Sequence, residues 1–397
     1  MLICIAGKNS IATNALIHSI KLFGANRIIA CPNPSDDGVS RWQPSLRRFA
    51  HELGIKIVTI DQIYDIKDLI FVSLEYEKII HPEKFSTTQL FNIHFSKLPA
   101  YKGMYTSAWP ILNGEEESGV TLHKIDRGID TGGIIDQKIF KINSKETARS
   151  LYFKYLKYGF NLFEKNIEKL CNKKFELIPQ SHYKSSYFSK DSINYSNIKI
   201  NLNNTANKIS QELRAFTFRE FQLPIIENIK IGQHKITTQR SSMRPGTLTA
   251  RENGWTLSTI DCDLFFEQDF SEIFFDWLSM STKNMTDVFL KKNVSLINLK
   301  NKNGWSPLMI STFNGDIIAA GKLLSMGALI NDTNSNGTTP LMYAKDFCLK
   351  SSDFKLCEFL IENGANPKQL DFFGKNVLDY AILNKQTKAI NFFKRYL

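Results

Sequence analysis

The chain has 397 residues, of which 43% are hydrophobic, and carries a formal net charge of +11. A length of this order suggests two or three domains, and the hydrophobic share is ordinary for a soluble globular protein. No apolar run reaches the roughly 18 residues that a membrane-spanning helix needs, and no Arg-rich arm, zinc-finger spacing or RNA-binding aromatic signature turns the positive charge into a nucleic-acid module.

Residues 1 to 140 alternate strand-like and helix-like segments. Leu2 to Ala6 reads as a buried strand, Ile11 to Phe23 has helical spacing, Arg27 to Ala30 is a second strand, and Ser45 to Leu53 is a helix ending at Gly54. Lys56 to Thr59, Leu69 to Ser73, Phe91 to Phe95, Val120 to Ile125 and Ile134 to Ile139 read as further strands, and Lys145 to Lys173 as a long closing helix. This alternation predicts an α/β domain, Rossmann-like, with a mostly parallel sheet covered on both faces. Met1 to Gly7 lacks a basic leader and a small-residue cleavage site, so it reads as the first strand and not as a signal peptide. Gly7-Lys8-Asn9 follows that strand without a Gly-x-Gly-x-x-Gly fingerprint, which argues against a nicotinamide cofactor. Lys8 and Asn9 either face an anionic ligand at the helix start or form a simple tight turn. The six cysteines, Cys4, Cys31, Cys171, Cys262, Cys348 and Cys357, are scattered with no Cys-x-x-Cys pair, a pattern of reduced thiols in a cytoplasm and not of structural zinc.

Residues 177 to 200 are polar and loop-like, and Ile209 to Phe218 is a helix running into Arg219-Glu220-Phe221-Gln222-Leu223-Pro224. Short alternating strands follow, with turns expected at Gly232, Pro245-Gly246 and Gly254-Trp255, which predicts a small β-rich subdomain. From about residue 284 a repeat sets in. Asn303-Gly304-Trp305-Ser306-Pro307-Leu308-Met309 is echoed by Asn336-Gly337-Thr338-Thr339-Pro340-Leu341-Met342, a spacing of 33 residues from Gly304 to Gly337. A weaker copy at Phe373-Gly374-Lys375-Asn376-Val377-Leu378 lies 37 residues beyond Gly337, and an insertion near Ser351-Ser352-Asp353 accounts for the difference. The units end in Leu323-Leu324-Ser325-Met326-Gly327-Ala328 and Phe359-Leu360-Ile361-Glu362-Asn363-Gly364-Ala365, and together they resemble ankyrin repeats. Asp276 to Lys292 is expected to cap the array at its start, and one helix from Val377 to Leu397 at its end. Trp305 takes a variable hairpin position, where it stacks on a ligand base, anchors a partner, or packs against neighbouring protein. The expected boundaries are 1–180, 181–267 and 268–397.

The chemistry concentrates in Asn92-Ile93-His94, Ser96-Lys97-Leu98-Pro99 and Asp126-Arg127-Gly128-Ile129-Asp130-Thr131-Gly132-Gly133. An amide supplies a donor to a carbonyl oxygen that turns negative, an imidazole takes a proton near neutral pH, and a carboxylate steadies the charged imidazole. The ordered pieces resemble the formyltransferases that use N10-formyltetrahydrofolate, whose catalytic Asn, His and Asp fall on Asn92, His94 and Asp130. Ser96 to Met104, with Trp109-Pro110-Ile111-Leu112-Asn113-Gly114, is similar to the branch that acts on nucleotide-linked amino sugars. The ankyrin tail resembles the dTDP-3-amino-3,6-dideoxyhexose enzymes of bacterial surface-glycan synthesis. The resemblance implies that the folate lies along Phe71, Ser73 and Leu74 and at Met104, Ile125, Asp126 and Asp130, bound largely by backbone groups. It implies that the dTDP-linked sugar meets Lys8, Asn9, Tyr76 or Lys78, with Arg214 on the diphosphate and Phe221 or Gln222 on the base. It also implies a homodimer in the cytoplasm and no need for a metal. Two other readings stay open: formylation of methionyl-tRNA, and an inactive catalytic domain serving as an ankyrin scaffold.

Overall fold

The computed structural model describes residues 1–280 and 287–396. The chain divides into one unit of Met1–Gly38 with Ser45–Asp269 and a second of Val39–Pro44 with Phe270–Leu397.

In chain order the first unit runs β1 (Leu2–Gly7), α1 (Asn9–Phe23), β2 (Ile28–Pro32), α2 (Leu46–Glu52), β3 (Lys56–Ile57), β4 (Leu69–Leu74), β5 (Leu90–His94), β6 (Lys102–Gly103), α3 (Trp109–Leu112), β7 (Glu117–Lys124), β8 (Ile134–Lys141), α4 (Ala148–Cys171), β9 (Tyr187–Phe188) and α5 (Ala206–Phe216). It closes with β10 (Ile225–Ile226), β11 (Ile229–Ile236), β12 (Leu248–Arg251), β13 (Gly254–Leu257) and β14 (Leu264–Gln268). Seven strands form one sheet in the order β3-β2-β1-β4-β5-β7-β8, parallel from β3 through β5 and antiparallel thereafter. The central strands are mostly apolar, as strands covered on both faces are: Ile3, Ile5, Phe71, Val72 and Phe91 have no exposed surface, and the polar Ser73, Asn92 and His94 come near the carboxyl ends of β4 and β5. On one face Cys4, Cys31, Phe71, Phe85 and Leu90 form a core with Tyr64 and Tyr76. Ser45 caps α2 and Thr147 caps α4, each hydroxyl accepting a backbone N–H one turn on. Gly7, at the carboxyl end of β1, takes φ 138°, and a Cβ there would lie 1.8 Å from the Leu74 carbonyl oxygen.

A second sheet, β10-β11-β14-β13-β12, packs Ile226, Ile231, Leu257, Leu264 and Phe266 around Ile209 and Leu213 of α5. Three local expectations are corrected. Gly254 and Trp255 are not a turn; they open β13, and the hairpin turns at Glu252 and Asn253. Gly232 is not a turn; it lies inside β11 at a register irregularity between Ile231 and Gln233, and the tight turn falls earlier, at Glu227 and Asn228, both with positive φ. The third strand keeps only Lys56 and Ile57 of the expected Lys56 to Thr59, because Ile60 already turns into a short 3₁₀ segment.

The second unit contains α6 (Ser271–Ser279), α7 (Asp287–Lys292), α8 (Pro307–Phe313), α9 (Ile317–Ser325), α10 (Pro340–Ser351), α11 (Lys355–Glu362), α12 (Val377–Leu383) and α13 (Thr387–Phe393). Ser306 and Thr339 cap α8 and α10 with proline at the first helical position, where its missing N–H is harmless. The extra residues of the longer repeat extend α10, which has 12 residues against 7 in α8 and ends at Ser352 with φ 58°. The expected single helix from Val377 to Leu397 is instead a hairpin, α12 and α13, broken where Lys385 takes φ 54°. Leu397 and residues 281–286 of the expected cap lie outside the described residues. Residues 39–44 pack with the repeats: the Trp42 N–H donates to the Lys302 carbonyl (3.2 Å) and Ser335 Oγ to the Arg41 carbonyl (2.6 Å).

Among the described residues, no helix is long and apolar enough to cross a membrane, and no group of three His, Cys, Asp or Glu is placed to hold a metal ion.

Candidate active site

Strand β5 puts Asn92 and His94 two residues apart, so both side chains leave the same face of the sheet. The loop from β7 to β8 brings Asp130 over them. That loop is shaped by Asp126, whose Oδ1 accepts from the Gly128 N–H (3.2 Å) and Thr131 Oγ1 (2.6 Å). Gly132 lets it close, since a Cβ there would lie 1.8 Å from the Lys124 carbonyl oxygen. Asp130 itself has φ 55°, an uncommon conformation for a side-chain-bearing residue, and Asn9, Glu75 and Tyr101 share that region at 64°, 61° and 60°.

The three side chains converge. Asn92 Nδ2 donates to Asp130 Oδ1 at 3.2 Å, and His94 Nδ1 lies 3.4 Å from Asp130 Oδ2. Oδ2 also accepts from the Gly103 N–H at 3.0 Å. His94 Nε2 faces the Tyr101 carbonyl at 2.8 Å, and a carbonyl only accepts, so Nε2 carries the proton. The tautomer of His94 is therefore set by a backbone oxygen, and Nδ1, beside Asp130, is the atom that can take a further proton. Side-chain exposures of 9% for His94 and 11% for Asp130 keep these two groups largely out of water. Burial alone would raise the Asp130 pKa; the charges of His94 and His123, the His123 contact and the Gly103 N–H outweigh it and hold the carboxyl far below the usual range.

A fourth group, His123, was not evident from the sequence. β7 pairs antiparallel with β5, and the register sets His123 opposite Asn92. Its Nδ1 faces the Lys124 carbonyl at 2.8 Å and so carries the proton; its Nε2 lies 3.1 Å from Asn92 Nδ2 and 3.5 Å from Asp130 Oδ1. The signal that locates it is strand pairing, which a single histidine in Thr121-Leu122-His123-Lys124 does not reveal.

The remaining expected residues are distributed around this cluster. Asn9 Nδ2 donates to Glu75 Oε2 (3.1 Å), which also accepts from the Tyr152 hydroxyl (2.7 Å). Burial raises the Glu75 pKa, and Lys8, Tyr152 and Asn9 offset it in part. Phe71, Ser73 and Leu74 are buried within the sheet, so the structure brings none of their side chains to a surface; Met104 and Asp126 are exposed and Ile125 is half-buried. Arg214 donates from Nη1 to the Glu146 carbonyl (3.0 Å) and Gln222 from Nε2 to the Phe216 carbonyl (3.3 Å). Phe221 is 65% exposed, with its ring against Phe218, which in turn packs on Tyr152. Trp305 is half-buried in the second unit, its ring 4.6 Å from Tyr343 and 5.1 Å from Phe313.

A cavity of about 290 Å³ opens at the carboxyl ends of β2 and β3. Pro34, Ile57 and Ile60 give it apolar walls, Tyr76 closes one side, and Arg47 and Lys78 supply cations. Arg47 Nε donates to the Asp36 carbonyl (2.8 Å), and Asp61, which also lines the cavity, interacts electrostatically with Lys78.

A model described as formyl transferase matches residues 60–167, and one described as ankyrin repeats in three copies matches 278–369. Two crystal structures resemble the chain with a TM-score of 0.64. WlaRD, a sugar 3N-formyl transferase studied with dTDP and 5-N-formyl-THF, is 47% identical, over 68% of this chain and 97% of its own. The N-formyltransferase from Helicobacter canadensis, in complex with folinic acid and dTDP-3-aminofucose, is 46% identical, over 68% and 100%. The bifunctional polymyxin resistance protein ArnA of Wigglesworthia glossinidia brevipalpis is 33% identical over 48% of this chain, which spans only 29% of that protein. Methionyl-tRNA formyltransferases match at 28–34% identity over 44–68% of their length. The chain belongs to the sugar N-formyltransferases and carries C-terminal ankyrin repeats.

Proposed function

We propose that this enzyme transfers the formyl group of N10-formyltetrahydrofolate to the amine of a dTDP-linked amino-deoxy sugar, dTDP-3-amino-3,6-dideoxyglucose in the first instance. The observation that carries the reading is the meeting of Asn92, His94 and Asp130 at the carboxyl edge of β5, where open α/β sheets hold their ligands. The relatives near 47% identity, studied with dTDP and a formylated folate, supply the substrate class.

In this reading the sugar amine attacks the formyl carbon. Asn92 donates to the carbonyl oxygen as it becomes negative, and His94 Nδ1 accepts the amine proton. Asp130 steadies the resulting imidazolium, which returns the proton to the departing folate nitrogen as the carbon–nitrogen bond breaks. Glu75 and Asn9, just past the ends of β4 and β1, and Tyr152 on α4 offer hydrogen-bonding groups to the hexose, with Lys8 next to Asn9. Tyr76 and Lys78, expected near the sugar or its phosphates, share one cavity with Arg47; we read this cavity instead as suited to the glutamate carboxylates of the folate, a flat apolar body ending in negative charge. Arg214 toward the diphosphate and Phe221 or Gln222 toward the base complete the acceptor site. The proposal extends to a cytoplasmic homodimer serving surface-glycan synthesis.

The test is a transfer assay with N10-formyltetrahydrofolate and a panel of dTDP- and UDP-linked amino sugars, with methionyl-tRNA as a further acceptor, read by mass spectrometry. An N-formylated dTDP-sugar is the expected product. Formylation of methionyl-tRNA alone, or of no acceptor, would overturn the reading; the second outcome would favour a scaffold.

A further inference from the structure

Asn92 has two amide protons, and in this structure both are engaged. One points at His123 Nε2 (3.1 Å) and the other at Asp130 Oδ1 (3.2 Å). An amide held in this way has no proton left for a developing oxyanion. One of the two contacts must therefore yield before the Asn92 side chain can stabilise the transition state. The Asp130 contact is poorly suited to yield, because its acceptor is a buried carboxylate that also anchors Gly103 and faces His94. The His123 contact can be switched. With Nδ1–H fixed on the Lys124 carbonyl, Nε2 is a lone pair in the neutral ring and an N–H in the charged ring.

We propose that His123 is a proton-controlled positioning residue: its neutral form holds Asn92, and its protonated form releases one Asn92 N–H to the reacting carbonyl oxygen. Protonation turns Nε2 from acceptor to donor, and Asp130 Oδ1, 3.5 Å away, is the acceptor already in place. The proton on Nε2 comes from solvent before transfer and stays there through it. The balance of the reaction is untouched: the amine nitrogen bonds the formyl carbon, the carbon–N10 bond breaks, and the proton passes from amine to His94 Nδ1 to N10. The groups facing the His123 ring are few. β5 offers Asn92 and, behind Asp130, His94; the loop after β7 offers Asp130; β8 sets Ile134 opposite His123, and Gln180, which holds the Asp130 carbonyl at 2.8 Å, is neutral.

This inference rests on the transfer reaction proposed above, and its test separates the two. The turnover number is measured with both substrates saturating from about pH 5 to pH 9 for the wild type and for His123→Gln, whose amide nitrogen sits near the place of ring Nε2 and cannot titrate. The wild type is expected to give a bell, its acid limb set by His94, which must be unprotonated at Nδ1, and its alkaline limb by His123. His123→Gln is expected to keep the acid limb and lose the alkaline one, with KM for each substrate within about threefold. An alkaline limb that survives unchanged overturns the proposal; a merely structural role would change stability and leave the profile's shape alone. Nitrogen-15 NMR of the wild-type ring gives an independent reading should the variant fold poorly. The neutral ring is expected to be protonated at Nδ1, and a neutral ring protonated at Nε2 would overturn the proposal. A wild type that formylates no acceptor would instead refute the transfer reading, with the NMR result still standing.

Discussion

Replacing Asp130 with asparagine removes one charge and almost no volume, and the structure indicates how much that charge matters. Asp130 Oδ1 accepts from Asn92 and Oδ2 from the Gly103 N–H, at 3.2 and 3.0 Å. An asparagine presents one oxygen and one NH₂, so whichever way it turns, one of those donors meets another donor. That costs about 1.5–3 kcal/mol, the worth of a hydrogen bond to a charged group. The larger loss is electrostatic. At 3.4 Å from His94 Nδ1, with an effective dielectric constant of about 20, a full charge pair is worth roughly 5 kcal/mol. Part of this is recovered by solvent and by the remaining dipoles, so the expected fall in turnover for Asp130→Asn is on the order of 10³-fold, with KM for either substrate changed far less. A second readout follows from the depressed carboxyl pKa. The wild type keeps the Asp130 contribution to stability above the unfolded carboxylate range near pH 3.9 and loses it as pH falls toward the folded value, whereas Asp130→Asn has none to lose. Steady-state transfer rates and urea unfolding at neutral and acid pH measure both. A variant retaining more than a tenth of wild-type turnover would refute the charge argument.

His234 lies in β11, where burial and the charge of Arg214 push its pKa down to about 4 despite the Ser210 contact. The unfolded chain binds that proton first, so stability falls as pH drops from about 6.5 to 4, by about 3 kcal/mol at most; urea midpoints at pH 7 and pH 4.5 should show a smaller difference in His234→Gln. Arg47→Ala and Lys78→Ala should each raise KM for the formyl donor roughly fivefold at unchanged turnover, since an exposed ion pair is worth up to about 1 kcal/mol; an unchanged KM in both would remove the folate from that cavity. Trp305→Ala should lower the number of nucleotide-sugar molecules bound per chain without slowing transfer, and calorimetry giving unchanged stoichiometry and affinity would leave Trp305 as packing against Tyr343 and Phe313.

The mostly parallel sheet and the repeats were legible because both rest on side-chain pattern. The run Leu69 to Ser73 has the length and apolar character of a buried strand, and Ser306-Pro307 and Thr339-Pro340, each opening an apolar run, supply a cap and a proline-led helix start. Local geometry set by contact was not legible. Gly232 reads as a turn by composition, yet the backbone turns at Glu227-Asn228, two residues whose side chains give weaker warning. The docking of residues 39–44 on the repeat hairpins left no mark in the sequence either, since its bonds at Trp42 and Arg41 run through main-chain atoms.

The same reason limits what can be read at the active site. Asn92, His94 and Asp130 are recognisable because their side chains do the chemistry. The groups that decide which atoms of those side chains are available are the Tyr101 carbonyl on His94, the Lys124 carbonyl on His123 and the Gly103 N–H on Asp130. Every residue carries such groups, so no residue type announces them. Their placement depends on Tyr101 and Asp130 being held at positive φ and on Gly132 allowing the loop to close on Lys124. A substitution at Gly132 should therefore disable transfer as effectively as the loss of Asp130, although Gly132 has no side chain to offer. The distinction is measurable: Gly132→Ala must displace the loop, so it should weaken binding of both substrates as well as turnover, whereas Asp130→Asn should act on turnover almost alone.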